Sequence, residues 1–289
     1  MSLPPRAELP KLTDRLPLGE SGLEVSPFCL GMVGDPAVVP AAFEAGINFF
    51  FLTADMHWPL YEPTRRGLKL LLEGRPGVRD AIVVGVVSYV TQPTFLWAPY
   101  EEVLLDLPQL ERIDLMIAGG AYGHEIDRRL PTYERHRRVR HAGARAIGVS
   151  FHDREAARRI VAGGALDIGY VRYNPVHPGA RADLFPHVST RAGGRRTLLF
   201  NFKSTRGHVA SEEQYAAFGI DADFWRPHQT DYYRFALGEP ALDGILCALP
   251  GPDAVRDLAD ALDQGPLDDE DRQYLLDLGE LVRGTAKLA

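Results

Sequence analysis

Residues 42–55 read AFEAGINFFFLTAD, and the pattern changes period halfway. With the preceding AVVP, the first half spaces its apolar residues at three and four positions and stops at Gly46, a usual helix end. INFFFLTA (47–54) is a short apolar run that predicts a strand. The same alternation recurs along the chain. Further strand candidates are SPFCLGMV (26–33), AIVVGVVS (81–88), DLMIAGGA (114–121), ARAIGVSF (144–151), IGYVRYN (168–174), RTLLFNF (196–202) and DGILCALP (243–250). Helical patterns lie between them, among them EPTRRGLKLLLEG, PYEEVLLDLPQLE, PTYERHRRVRHAG and DREAARRIVAGG. Eight strand–helix units without a composition break predict one (β/α)8 barrel over residues 1–289. DRLPLGESGLEVSPFCLG, ahead of the first barrel strand, reads as a β-hairpin that would plug the barrel's bottom. Residues 207–233, aromatic and without a clean period, read as a long loop with short helices, a lid over the top. PLDDEDRQYLLDLGELVRG predicts a C-terminal helix with an acidic first turn.

Composition narrows the function classes. With 45% hydrophobic and 25% charged residues, the 289-residue chain has the profile of a soluble globular protein. Its formal net charge of −7 offers no bulk attraction to nucleic acid or anionic lipid, so neither is an expected partner. ERHRRVRHAGAR (134–145) reads as a solvated helix face. Cys29 and Cys247 lie in apolar runs, as buried thiols in a reducing compartment would. No run reaches the ~18 apolar residues of a membrane span and MSLPPRAELPKLTD (1–14) holds no apolar core of signal-peptide length, which predicts a cytoplasmic protein.

Six phrases in order resemble the aldo-keto reductase superfamily: RLPLGESGLEVSPFCLGM (15–32), AFEAGINFFFLTAD (42–55), RIDLMIAGG (112–120), ARAIGVSFH (144–152), DIGYVRYNP (167–175) and ALPGPDAVRDLADAL (248–262). The resemblance implies NADP(H) held across the C-terminal mouth of the barrel, with hydride passed to a carbonyl. In the family a tyrosine donates the proton, tuned by a lysine and an aspartate, and a histidine orients the substrate. This sequence departs from that group at all four positions. Leu52 stands for the aspartate, His57 for the tyrosine, Val86 or Val87 for the lysine, and Ala118 or Gly119 for the histidine. Lysine is absent from residues 70–202. Among cofactor positions, Ser150 matches the family's serine, Phe151 replaces its asparagine partner and Tyr170 its glutamine. The resemblance also implies that Phe202 stacks on nicotinamide. It places Gly251 and Arg256, with Lys203 and Arg206, near the cofactor's phosphates.

The residues themselves put other chemistry at the mouth. His57, His124, His152 and His177 follow the second, fourth, fifth and sixth barrel strands, with Asp55, Glu125 and Asp153 beside them and Lys203 after the seventh. Pro175 and Pro178 stiffen the loop around His177. Neutral imidazoles with a carboxylate suit a divalent metal. An imidazole, with an ordinary pKa of about 6.5, also suits acid–base work at neutral pH. As a third reading, the histidines cap loops. Trp58, Tyr61, Tyr122, Phe151, Phe224 and Trp225 are candidates for an aromatic pocket wall. The reading is a divergent reductase acting on a small-molecule or peptide substrate, with His57 as proton donor and His124 supporting substrate. The alternatives are a non-redox enzyme using the histidine cluster, metal-dependent or not, and a silent scaffold. The sequence leaves the oligomeric state open.

Overall fold

The computed structural model describes residues 6–138, 144–164, 166–188 and 197–286. Eight parallel strands close a barrel: β3 (Phe28–Val33), β4 (Phe49–Thr53), β5 (Val83–Ser88), β6 (Leu115–Ala121), β7 (Ala146–Phe151), β8 (Ile168–Arg172), β9 (Leu198–Phe202) and β10 (Gly244–Leu249). They pair in chain order, and β10 closes on β3. The helices are α1 (Val38–Glu44), α2 (Glu62–Gly74), α3 (Ala98–Asp106), α4 (Glu125–Arg138), α5 (Arg154–Ala162), α6 (Ala180–Asp183), α7 (Phe185–Val188), α8 (Glu212–Ala217), α9 (Gln229–Leu237), α10 (Asp253–Asp263) and α11 (Asp269–Ala286).

Inside the barrel, large aromatic rings fill the lumen. Phe49 and Phe200 meet edge to face at 5.7 Å, as do Phe51 and Tyr170 at 5.5 Å and Tyr170 and Phe200 at 6.0 Å. Such contacts add about 0.5–1.5 kcal/mol each beyond simple burial. The bottom is stitched by one device used four times. Asn48, Asp114, Asp167 and Asp243 precede alternate strands (β4, β6, β8 and β10). Each accepts a backbone N–H at or just ahead of the preceding strand: Ser26 at 2.7 Å, Val84 at 2.8 Å, Ile147 at 2.9 Å and Leu199 at 2.7 Å. Arg79 pairs with buried Asp114 at 2.8 Å and Arg137 with buried Asp167 at 2.9 Å, so these carboxylates keep charge partners away from water.

The hairpin β1 (Leu16–Pro17) and β2 (Glu24–Val25) lies at this same end. Asn48 donates to the Glu24 carbonyl at 2.9 Å and Arg145 to that of Ser21 at 2.9 Å. Leu18 and Val25 are wholly buried beneath the strands.

Beyond α3, which stops at Asp106 with a separate 3₁₀ turn at Pro108–Leu110, two elements differ from the sequence reading. α4 begins at Glu125, six residues before the predicted start, and carries Pro131 inside it. Of the basic run, residues 139–143 lie outside the described residues. In the described part Arg137 is held by Glu134 and Asp167, and His136 stacks on Trp97 at 5.4 Å. Residues 207–233 do not form a simple cover over the mouth. Val209 and Tyr215 pack with Leu278 of α11, and Phe224 and Trp225 lie on Tyr274 of the same helix. These four side chains find their partner on the C-terminal helix, whereas Gly207, His208 and Tyr233 line the mouth. Among the described residues no helix is long and apolar enough to cross a membrane.

Candidate active site at the barrel mouth

A cavity of about 900 Å³ opens at the C-terminal ends of the strands, the end at which barrels of this kind gather their loops. His57, Ser150, His152, Phe202, Lys203 and Arg206 line it, as do Thr53, Tyr61, Tyr89 and Tyr122. Its two sides differ in chemistry.

On the β3–β6 side the wall is largely apolar, with Glu125 as its acidic group. Met32, Met56, Leu60 and Tyr122 are all exposed and all line the cavity. His57 ends the β4 loop as the residue before a 3₁₀ turn (Trp58–Tyr61), and its ring meets that of Tyr89 edge to face at 5.3 Å. Asp55 ties the two loops together. Its carboxylate accepts from Met56 N at 2.6 Å, Ser88 Oγ at 2.9 Å and Tyr89 N at 2.7 Å. Those bonds occupy Asp55 in positioning the loops that carry His57 and Tyr89. Burial, and secondarily the charge of Asp55, raises the Tyr89 phenol above its ordinary pKa, so it stays protonated as a donor. Below them, Thr53 is 2% exposed and its Oγ1 has no hydrogen-bond partner among the described residues.

On the β8–β9 side the wall is cationic and rigid. Buried Asn201 accepts from Tyr173 N at 3.1 Å, and donates to the Tyr173 carbonyl at 2.6 Å and to Ser204 Oγ at 3.1 Å. Asn174 donates to the Lys203 carbonyl at 2.8 Å. Lys203 itself has φ 58°, a left-handed conformation that costs about 1–3 kcal/mol in a non-glycine residue and is held here by those bonds. Gly207 has φ 87°, and a Cβ there would lie 2.2 Å from Val176 Cγ2, so only glycine fits. Among the described residues Lys203 and Arg206 on this wall make no ion pair, and neither does Arg172, which lines a small neighbouring cavity. Burial lowers the Lys203 ammonium, with Arg172 and Arg206 adding to the shift. His152 is lowered by burial and then by Lys203 and Arg172. Its ring stacks on Tyr122 at 5.5 Å and meets Phe202 edge to face at 5.7 Å.

The four strand-end histidines do not converge. His124 is exposed and off the cavity wall. His177 is turned into its own loop, with its backbone N–H 2.8 Å from Asn174 Oδ1 and its Nδ1 3.2 Å from the same atom. His208 lines the cavity instead, its Nε2 lying 3.2 Å from the Pro227 carbonyl. Among the described residues no group of three or more His, Cys, Asp or Glu is arranged to hold a metal ion. Asp153 is occupied as the cap of α5, accepting from Glu155 N at 2.9 Å, and also from Gly123 N at 3.1 Å.

Gly251 and Arg256 stand away from the cavity wall, and Arg256 pairs with Asp253 at 3.0 Å in the first turn of α10. Of the candidate aromatic wall, Tyr61 and Tyr122 line the cavity, whereas Trp58 lies beneath the Arg65 guanidinium at 3.6 Å. Phe151 is buried away from it, and Phe224 and Trp225 pack on α11.

The sequence reading passed over Tyr89, Thr53 and Arg172. Tyr89 and Arg172 each stand at the exit of a strand, the signal that would have found them.

No family profile and no curated protein matches the sequence. Solved structures do. The holo form of the aldo-keto reductase AKR11C1 from Bacillus halodurans is 17% identical, with a TM-score of 0.67 over 92% of this chain and 96% of that one. PA4992 of Pseudomonas aeruginosa, assigned as an aldo-keto reductase, is 19% identical, with a TM-score of 0.61 over 88% and 96% of the two chains. The thermostable aldo-keto reductase Tm1743, solved with the inhibitor epalrestat, is 16% identical, with a TM-score of 0.62 over 92% and 99%. At such identities the likeness speaks for architecture, and this chain has the fold of the aldo-keto reductases.

Proposed function

We propose that the mouth cavity is an active site for reduction of a carbonyl or imine in a small molecule, with NADP(H) as the hydride source. The observation that carries this reading is the pairing of His57 and Tyr89 on one wall with the unpaired cations Lys203 and Arg206 on the other.

The cationic wall fits the phosphates of a dinucleotide, and Phe202 offers a ring face beside them. Gly207 lets the backbone approach closely at that point. The fit is poorer at the nicotinamide amide, because the Tyr170 hydroxyl is turned to Cys29 Sγ at 3.7 Å. Ser150, the strand partner of Tyr170, is a polar group that lines the cavity beside it. At α10 the Asp253 carboxylate matches the Arg256 charge, which weakens that helix start as a phosphate site.

When bound, the cofactor supplies hydride to the substrate carbon. His57 delivers a proton from its ring to the substrate oxygen or nitrogen. Tyr89 holds the imidazole edge-on and offers its own hydroxyl as a second donor. Met32, Met56, Leu60 and Tyr122 keep the apolar body of the substrate on their side and exclude water.

Fluorescence titration with NADPH, with metal content measured on the same preparation, tests this reading. The expected result is saturable NADPH binding without stoichiometric metal, weakened at least tenfold by Arg206→Ala. Absence of binding, or stoichiometric zinc or iron without it, would sink the proposal.

A further inference from the structure

A second cavity, of about 340 Å³, lies outside the barrel between the α6–α7 segment, the end of α9 and the start of α11. Arg6, Arg181, Arg234 and Arg272 line it, against a wall that includes Phe185, Phe235 and Leu267. Arg234 is satisfied locally, at 2.8 Å from Asp231 and 2.9 Å from the Gly265 carbonyl. The other three guanidinium groups surround one buried carboxylate, Glu239, and hold it loosely.

The Glu239 Oε2 lies 3.8 Å from Arg181 Nε and 3.7 Å from Arg272 Nη2, both beyond hydrogen-bond length. Arg6 donates to the Leu242 carbonyl, and Arg272 to the Tyr173 hydroxyl at 2.6 Å. The Arg272 guanidinium lies over Phe235 at 4.8 Å. Arg181, with its side chain 60% exposed, makes no side-chain hydrogen bond among the described residues and offers its donors to the cavity, while the Nε atoms of Arg6 and Arg272 lie buried behind the wall without an acceptor. Asp269 at the rim is the second acid of the lining, so positive charge remains in excess on a chain whose net charge is −7. Guanidinium groups that face a cavity beside aromatic rings, with donors unspent, are arranged for an anion carried on an apolar body.

We infer that this outer cavity is a binding site for a small organic anion, a carboxylate or phosphate on an aromatic or aliphatic group. The anion would join Arg181 and Arg272 opposite Glu239, and its apolar part would lie against Phe185 and Phe235. The site is separate from the mouth and does not depend on the reaction performed there.

Calorimetric titration of the full chain with phenyl phosphate, in low salt, tests it. The double variant Lys203→Ala/Arg206→Ala serves as background, because the mouth also carries free cations. The expected result is millimolar or tighter binding that survives in this background. Arg181→Ala, at an exposed position that leaves the fold alone, should weaken it roughly fivefold or more. Glu239→Gln should tighten it, because it removes the competing carboxylate, and a purely structural Glu239 would not produce that gain. Inorganic phosphate should bind more weakly than phenyl phosphate. Failure to bind at ~10 mM, loss of binding in the mouth variant, or indifference to Arg181→Ala would each overturn the proposal. Equal affinity for the two phosphates would overturn the apolar half of the site.

Discussion

The ring of Tyr89 fills the space that a side chain at position 119 would need. A Cβ on Gly119 would come within 2.9 Å of Tyr89 Cε1 and 2.7 Å of Val87 Cγ2. Here the tyrosine of the neighbouring strand exit takes the volume. Gly119→Ala is therefore expected to destabilise the fold by about 1–3 kcal/mol through overpacking. Tyr89→Ala in the same chain should recover part of that loss, since Val87 still crowds the new methyl. Urea denaturation of the two single variants and the double variant measures the coupling, and strictly additive values would refute the shared-volume account.

The fold was legible in the sequence because its signals are local. EPTRRGLKLLLEG coincides with α2 residue for residue, and every apolar run chosen as a strand contains one. The site was legible only in part. Strand-end position brings a residue to the mouth but does not aim its side chain. His57 and His152, at most four residues past a strand, line the cavity, whereas His177, five past β8, is captured by Asn174. His124, three past β6, turns outward where α4 begins earlier than its periodicity indicated. Tyr89 depends on Gly119 and Gly120 lacking side chains, a relation between strands that no single segment displays.

Asp55 gives a second prediction. It accepts three hydrogen bonds, two of them from the exit of β5, so the β4 and β5 loops depend on one carboxylate. Asp55→Ala strands the Tyr89 N–H and the Ser88 hydroxyl in a half-buried setting. A loss of about 1–3 kcal/mol is expected, with Asp55→Asn intermediate because its amide retains one accepting oxygen. Thermal or urea unfolding measures this, and a change below about 0.5 kcal/mol would contradict the clamp.

His152 gives a pH prediction. Burial first, and Lys203 and Arg172 next, lower its pKa in the folded chain. The unfolded chain therefore takes up this proton more readily, so the group's contribution to stability falls as pH drops below about 6.5. Lys203→Ala should move the His152 midpoint upward, while burial keeps it below the ordinary value. An NMR titration of the His152 ring reads this directly. An unmoved midpoint would mean that Lys203 does not act on His152 across the mouth. Bound phosphate beside Lys203 should shift the midpoint in the same upward direction, by offsetting the same charge.

His57 carries the proposed chemistry, and its removal separates binding from turnover. Its imidazole makes its edge contact with Tyr89, and among the described residues it makes no ring contact with Lys203 or Arg206. His57→Ala should therefore leave NADPH affinity unchanged. It should lower kcat for reduction of aldehydes and ketones by about 10²–10⁴, the usual contribution of a positioned proton donor. Tyr89→Phe keeps the ring that steadies His57 but loses the second donor, so its effect should be smaller, about tenfold. Steady-state rates across a panel of apolar carbonyl compounds, with NADPH affinity measured separately, test both variants. If His57→Ala kept full kcat while Tyr89→Phe lost it, the proton would come from the phenol and the imidazole would only hold the ring in place.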